Sequence, residues 1–460
     1  MSMIYNGLSG ALAAQTALNT NSQNIANAMT PGYVRQGVLL STQSQGRGAN
    51  AAGGVTVSAL LRFSDGYKSL QMWSSASSLG QFSAAQPYLT QLEQVMSDDA
   101  SNINQGFDAF FAALNAASTQ PDSGPLRDQV ITAADGLARR FDSMRSLLDN
   151  QSLAMRTQRG AALNQINGYT ADIAQLNREV AAARAAGLND SALLDARDRK
   201  VDALASLVGL QTVAQPDGTL SVSLRGGQPL VVGADAGHLG EGAPGMLDLS
   251  FGAGSFKVLN RGLGGQLGGL QDYEDQTLGT LKTSLDELAK GFADSFNAQH
   301  QLGFSQSGVT NQDLFTYAGD GKLTLNPLSG ADLAFSSSAT ALGDSANLQK
   351  LVNLRQTATV ALSTFDANGQ PTGSTINVSL GDVYTQLVGK LGVHSQQNQA
   401  SQTTAQTVRD QADESWKSTS GVNTDEEAIA LMQYKQMYES NMKVIAVANE
   451  LFDSTLAMLS

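Results

Sequence analysis

Apolar or small residues at Ile4, Leu8, Ala11, Gln15, Leu18, Ser22 and Ile25 alternate steps of four and three, the spacing that lays one stripe along a helix. No charged side chain interrupts residues 1–34. The far end of the chain repeats the spacing with Ala428, Leu431, Lys435, Tyr438, Met442, Ile445, Asn449, Phe452, Leu456 and Leu459. Neither stripe can bury its seam alone. The two are expected to pack against each other as a coiled coil, or against copies in neighbouring molecules. Lys435 and Asn449 in seam positions lower stability but fix register. Long helices with so little private burial are marginal until packed, so both are expected to order on assembly.

Local signals bound these helices. The first is predicted from about Ser2 to Asn27, closed by Thr30-Pro31-Gly32-Tyr33, where Pro31 in second place and Gly32 in third fit a type II turn. Thr424-Asp425-Glu426-Glu427 reads as a capping box, with Thr424 as N-cap and the acids at the positive helix end.

Between the ends the period changes twice. Gly37 to Ser58 is rich in Gly, Ser and Gln and is expected to be extended, with short strands paired around Gly46 to Gly54. From Gly66 to Leu210 the pattern is mostly helical. Leu163, Ile166, Thr170, Ile173, Asn177 and Val180 form one stripe, and Leu194, Val201, Leu204 and Val208 form the next. The break at Gly187-Leu188-Asn189-Asp190-Ser191 offers a Gly C-cap and a polar N-cap, so these two helices should pack antiparallel.

At Gln211 the chain turns to strand. Leu220, Val222 and Leu224 alternate with polar residues after the turn Pro216-Asp217-Gly218, Pro229 to Val232 follows Gly226-Gly227, and Met246 to Val258 continues the pattern. Helical spacing resumes at Leu270, Leu278, Leu281, Leu285, Leu288, Phe292 and Phe296. Residues 305–378 are polar and strand-prone, with Val360–Phe365 and Thr375–Leu380 flanking an Asp366-Ala367-Asn368-Gly369 turn. Helix returns from Val383.

The fold class expected is therefore mainly α with inserted β domains, the N- and C-terminal helices pairing as a coiled coil. The predicted division is a terminal assembly domain (1–40 plus 420–460) and a long helical rod domain (41–210 plus 265–304 plus 381–419). A smaller β-rich outer insertion covers 211–264, and a second mixed or β-rich insertion covers 305–380.

Composition removes most chemistry. The absence of Cys excludes thiol catalysis, disulfides and thiolate metal sites. A net charge of −13 argues against nucleic-acid partners and against anionic membrane surfaces. No segment approaches the roughly 20 apolar residues of a membrane span, and the first basic residue, Arg35, comes too late for a cleavable secretory signal. His238, His300 and His394 are scattered and read as surface or loop imidazoles; there is no HExxH and no G-x-S-x-G. In Gly262 to Gly269 the third glycine of a G-x-G-x-x-G falls on Leu267, so a flexible joint is expected there. No catalytic residue, metal ligand or cofactor site is predicted, and the chain is not expected to be an enzyme.

Gly7-Leu8-Ser9-Gly10, then Asn24-Ile25-Ala26-Asn27 with Thr30-Pro31-Gly32-Tyr33, resembles the N-terminal signature of bacterial flagellar rod, hook and hook-associated proteins. Gly421-Val422-Asn423 through Tyr434, Tyr438, Asn441, Lys443-Val444-Ile445 and Phe452 is similar to their C-terminal signature. Pro31 to Gln36, Leu193-Leu194-Asp195-Ala196-Arg197-Asp198 and Gly268 to His300 look like the hook-associated members. Ala28-Met29 departs from the Ala-Asn usual before Thr-Pro.

The resemblance implies a structural part of the flagellum that joins hook to filament by self-assembly. The implied partners are hook protein, a second junction protein, copies of the same chain, and an export chaperone on the C-terminal helix. Export is implied by the flagellar type III route, without a cleavable signal peptide. The assembly contacts are expected at Ile4, Leu8, Ala11, Leu18 and Ile25, and at Leu431, Tyr438, Met442, Ile445, Phe452 and Leu456. The motif residues are Asn24, Ile25, Asn27, Thr30, Pro31, Gly32 and Tyr33. Another axial flagellar protein, or an exported adhesin that borrows flagellar termini, is the alternative.

Overall fold

The computed structural model describes residues 2–43, 53–99, 101–243, 245–319, 322–341 and 343–459. Helix α1 (Ser2–Asn27) leads into a hairpin of β1 (Gln36–Gln43) and β2 (Gly54–Arg62), and α2 (Gly66–Ser97), α3 (Ile103–Thr119), α4 (Gly124–Ala185) and α5 (Ser191–Leu207) follow. Seven strands come next: β3 (Leu210–Ala214), β4 (Leu220–Leu224), β5 (Pro229–Val232), β6 (Asp235–Ala236), β7 (His238–Glu241), β8 (Met246–Phe251) and β9 (Gly254–Leu259). The chain continues through α6 (Gly265–Tyr273), α7 (Thr280–His300), β10 (Phe315–Tyr317), β11 (Leu323–Leu325), α8 (Ala346–Thr357), β12 (Thr359–Phe365) and β13 (Pro371–Ser379). It ends in α9 (Leu380–Ser420) and α10 (Thr424–Leu459). The fold is mainly α with small inserted antiparallel sheets.

Two compact units divide the chain: residues 1–79, 164–258 and 405–460 form the first, and residues 80–163 and 259–404 the second. In the first, β3-β4-β5-β6 and β7-β8-β9 make two sheets. Strand β4 buries Leu220, Val222 and Leu224, the alternation read from the sequence, and Gly218 supplies the positive φ that its turn needs. The α4–α5 connection is a Schellman closure. Leu188 N–H donates to Ala183 C=O, Gly187 N–H donates to Arg184 C=O, and Gly187 is left-handed. Lys200 meets Asp172 at 2.8 Å and Arg184 meets Asp190 at 2.6 Å, so α5 runs back along α4 as expected. The predicted pairing around Gly46 to Gly54 falls mostly outside the described residues, but β1 and β2 on either side of it are antiparallel partners.

The second unit is built on aromatic packing. Phe107 and Phe110 of α3, Phe292 and Phe296 of α7, and Phe315 of β10 pack ring on ring, with centroids 4.9 to 6.0 Å apart for most pairs. The α7 stripe is buried throughout, from Leu281 to Phe296. Hairpin β12–β13 turns at Asp366–Gln370 as predicted, and Val360 packs on Gly291 of α7.

Two expectations are corrected here. Residues 346–357, read as strand-prone, form α8, which buries Asn347, Leu348 and Leu351; Leu348, Leu351 and Val352 have helical spacing, but over one turn only and inside a long polar stretch. His300 is not a surface imidazole but fully buried. Its Nδ1–H donates to Gln312 C=O at 2.7 Å, and Nε2 accepts from Ala334 N–H at 2.9 Å, a pattern that requires the neutral ring.

Burial pushes the His300 pKa below its ordinary value, against the smaller opposing pull of Gln312 and Asp313. The unfolded chain therefore binds a proton that the folded chain refuses. The stability held by this ring is complete above about pH 6.5 and is lost as pH falls below it, by at most about 1.4 kcal/mol per pH unit. Urea unfolding of His300→Gln should show that much less loss between pH 7 and 5 than the unaltered chain. Parallel profiles would contradict the buried neutral ring.

Candidate assembly site: the terminal helix pair

Helices α1 and α10 pack antiparallel within the first unit. Gly7 lies against Ile445 and the Asn441 carbonyl, Gly10 lies against the Asn441 side chain, and Asn21 and Asn24 reach Glu427. A Cβ on Gly7 would stand 2.8 Å from Ile445 Cγ1, and one on Gly10 would overlap Asn441. Ala11, Ala13 and Thr20 are buried as well, and the row of α1 centred on this contact is Gly7, Gly10, Ala14, Ala17, Asn21 and Asn24, all buried. These residues keep the three–four alternation but lie one position before the apolar stripe predicted for the seam. Small residues let the backbones approach closely, which larger side chains would prevent.

The predicted contact residues divide. On α1, Ala11 is buried, Ile4 and Leu18 are half-buried, and Leu8 and Ile25 are exposed, Leu8 at 48%. On α10, Leu431, Tyr438 and Ile445 are half-buried, while Met442, Phe452 and Leu456 are exposed. Lys435 and Asn449 face solvent. Of the predicted residues, the seam brings Ile445 against α1 and leaves Leu8, Ile25, Met442, Phe452 and Leu456 on the outside. From Asn449 through Met458 every residue of α10 is exposed.

One buried carboxylate closes the pair. Glu427, 2% exposed, takes Arg35 Nε at 2.7 Å and accepts from Asn21 Nδ2 at 2.6 Å and Asn24 Nδ2 at 3.0 Å. Asn24 has every hydrogen-bonding site filled. It also donates to Gln36 C=O at 2.8 Å, and its Oδ1 accepts from Gln36 N–H at 3.0 Å and Tyr33 Oη–H at 2.9 Å. Burial, then Asp195 and Glu427, raise the Tyr33 pKa, so the phenol remains a donor. The capping box is thus corrected. Asn423 Oδ1 receives the Asp425 and Glu426 N–H groups, and Glu427 turns its carboxylate to Asn21 and Asn24 of α1 and to Arg35.

The rest of the N-terminal motif shapes the approach to this network. Tyr33 N–H donates to Thr30 C=O with Gly32 at φ +72°, the type II turn expected. Arg199 of α5 lies across Gly32, where a Cβ would collide with it. Asn27 bonds only Gln23 and Thr30 nearby, and Pro31 is exposed. The segment Leu193 to Asp198 meets the same strand. Asp195 accepts from Val34 N–H at 3.2 Å and from Arg62 Nε at 2.8 Å, and Asp198 takes Arg62 Nη2 at 2.9 Å. Burial pushes the Asp195 carboxyl up while Arg62 pulls it down. Arg197, itself buried, donates to Gly218 C=O at 2.7 Å and ties the β3–β4 turn to α5.

Among the described residues no group of three or more His, Asp and Glu side chains is placed to hold a metal ion, and no helix is long and apolar enough to cross a membrane.

Known proteins resemble this chain. Residues 89–315 match the family model described as the flagellar hook-associated protein FlgK helical domain, and residues 418–458 match that of the flagellar basal body rod FlgEFG protein C-terminal region. The proteins named flagellar hook-associated protein 1 of Escherichia coli K12 and Salmonella typhimurium are 26% and 27% identical, each aligned over 99% of both chains. The Bacillus subtilis protein of that name is 25% identical over 96% of this chain and 95% of its own. The chain belongs to the FlgK family of flagellar hook-associated proteins. The solved structure of the flagellar hook junction protein FlgK from Burkholderia pseudomallei shares the fold, with a TM-score of 0.64 at 17% identity, over 75% of this chain and 99% of that one. As a FlgK-family chain, the protein is a structural component of the bacterial flagellum at the junction of hook and filament.

Sequence reasoning did not find the Gly7, Gly10, Ala14, Ala17 seam, although its spacing is visible once small residues are weighed with large ones. It also read Glu427 as a local cap. Replacing Asn24 with Ala strands the Gln36 backbone and one side of Glu427, and should cost about 3 kcal/mol in urea unfolding. Asn27→Ala, which removes only exposed bonds to Gln23 C=O and Thr30 Oγ1, should cost under about 0.5 kcal/mol. Equal costs would contradict the assignment of Asn24 as the centre of the network.

Proposed function

We propose that the exposed faces of α1 and α10 are the surfaces through which copies of this chain assemble into the junction. The observation that carries this is the placement of large apolar residues. The private seam is filled by Gly, Ala and Asn, so Leu8, Ile25, Met442, Phe452 and Leu456 remain outside on two helices that a solitary protein would have no reason to furnish so. Their burial between subunits would contribute roughly 1.5 to 3 kcal/mol per Leu or Phe side chain. Ile4, Ala11, Leu18, Leu431, Tyr438 and Ile445 back those contacts from the half-buried or buried side.

In this reading hook protein lies on one side of the junction and a second junction protein on the other, with the inserted sheets of 211–264 and 305–380 turned outward. A chaperone holds the exposed end of α10 before export, and export proceeds by the flagellar type III route without a cleavable signal. The chain works mechanically and carries out no catalysis.

Leu8→Asp tests the reading, because Leu8 is 48% exposed and stands outside the α1–α10 seam. The purified variant should keep its stability within about 0.5 kcal/mol. Cells carrying it should show hooks without filaments by electron microscopy, with flagellin lost to the medium. Normal filaments would refute the assignment.

A further inference from the structure

A cleft of about 700 Å³ opens in the first unit beside the end of α1 and the start of α10. Its walls include Met29, Pro31, Trp73, Arg199, Arg409 and Trp416. Three of these are incompletely used by the fold. Trp73 is nine-tenths buried, yet its Nε1–H has no hydrogen-bond partner among the described residues. Arg199 has no carboxylate partner among them; it packs on Gly32 and donates to Pro31 C=O at 3.5 Å. Met29, the residue that departs from the usual motif, is 95% exposed at the rim. Arg409, by contrast, is spent on Asp202 at 2.7 Å.

The cleft lining also carries Asp198, Asp202, Asp413 and Glu426, so its charges balance, and the opposite end of α10 is notable first for its exposed apolar side chains. Phe452 is 59% exposed and Leu456 and Met458 are exposed beside it. Glu450 and Asp453 share this end, and no basic residue lies in its last turn. The closing carbonyls of a helix add partial negative charge there. Cleft and helix end lie at the two ends of a 36-residue helix, about 54 Å apart, so one molecule cannot bring its own together.

We propose that the cleft receives the distal end of α10 from a second copy of this chain. Phe452 and Leu456 enter between Trp73, Trp416 and Met29, a volume suited to a few side chains rather than a whole helix. Arg199 meets Asp453 or the closing carbonyls. The contact is heterologous. Each copy offers one cleft and one helix end, so contacts propagate from subunit to subunit instead of closing as a dimer. This rests on the self-assembly reading above and names the surfaces that would carry it.

The chain holds no cysteine, so Met29→Cys with Phe452→Cys in one chain introduces a defined pair. Flagella from cells carrying the double variant, oxidised in place, should release a ladder of multiples of this chain on a non-reducing gel, and either single variant should stay monomeric. Filaments present with the double variant monomeric would overturn the cleft contact and leave self-assembly standing. A ladder that stops at dimers would overturn it as well.

A second measurement does not depend on filaments. Both tryptophans of the chain line the cleft, so emission from the purified protein reports its occupancy. An excess of full-length Trp73→Phe, Trp416→Phe partner should shift that emission, and the same partner carrying Phe452→Asp should not. No shift with the former, or equal shifts with both, would overturn the proposal.

Discussion

A carboxylate withdrawn from water must be met by donors on every side, and Glu427 imposes that condition on the whole first unit. Its partners come from two places in the chain: Asn21 and Asn24 on α1, and Arg35 after the turn. Satisfying it fixes the antiparallel register, because sliding α10 by one turn would leave both the carboxylate and Asn24 short of partners. The same requirement explains why Thr30 to Tyr33 must turn sharply. Tyr33 and Gln36 have to return to Asn24 within a dozen residues, and the left-handed Gly32 makes that path possible.

The seam that follows from this register is thin in apolar area. Gly7, Gly10, Ala14 and Ala17 bring backbones together but remove little apolar surface from water, so the pair leans on its polar network for specificity. What stability the seam forgoes stays available outside, where the large apolar side chains sit. A pair that buried Leu8 and Phe452 privately would be steadier alone and would have less to offer a neighbour. The division between a small inner stripe and a large outer one is how this chain separates holding its own shape from joining others.

Features governed by neighbours in sequence were legible. The extent of α1, the turn at Pro31-Gly32, the closure at Gly187, the β3–β4 and β12–β13 hairpins and the α7 stripe all follow from residues within a few positions of one another. What escaped was tertiary. The α1 stripe was placed on Leu8 and Ile25 because large residues dominate a hydrophobic pattern, whereas close helix approach selects small ones. Glu427 obeyed a local rule on paper, but three donors far off in sequence outbid the helix start for its carboxylate. Helix α8 offers a single turn of helical spacing at Leu348, Leu351 and Val352, and His300 owes its burial to carbonyl and amide partners that no spacing announces. The family motifs were legible as motifs, while the geometry that makes Asn24 central and Asn27 peripheral was not.

A high-resolution electron cryo-microscopy map of assembled hook–filament junctions tests the central claim most directly. The account predicts Gly10 against Asn441 and Glu427 enclosed by Asn21, Asn24 and Arg35 within one chain, with Leu8 and Phe452 buried against neighbouring subunits. A map in which α1 closes on α10 of its own chain through Leu8, or in which Leu8 and Phe452 face open solvent in the assembly, would contradict it.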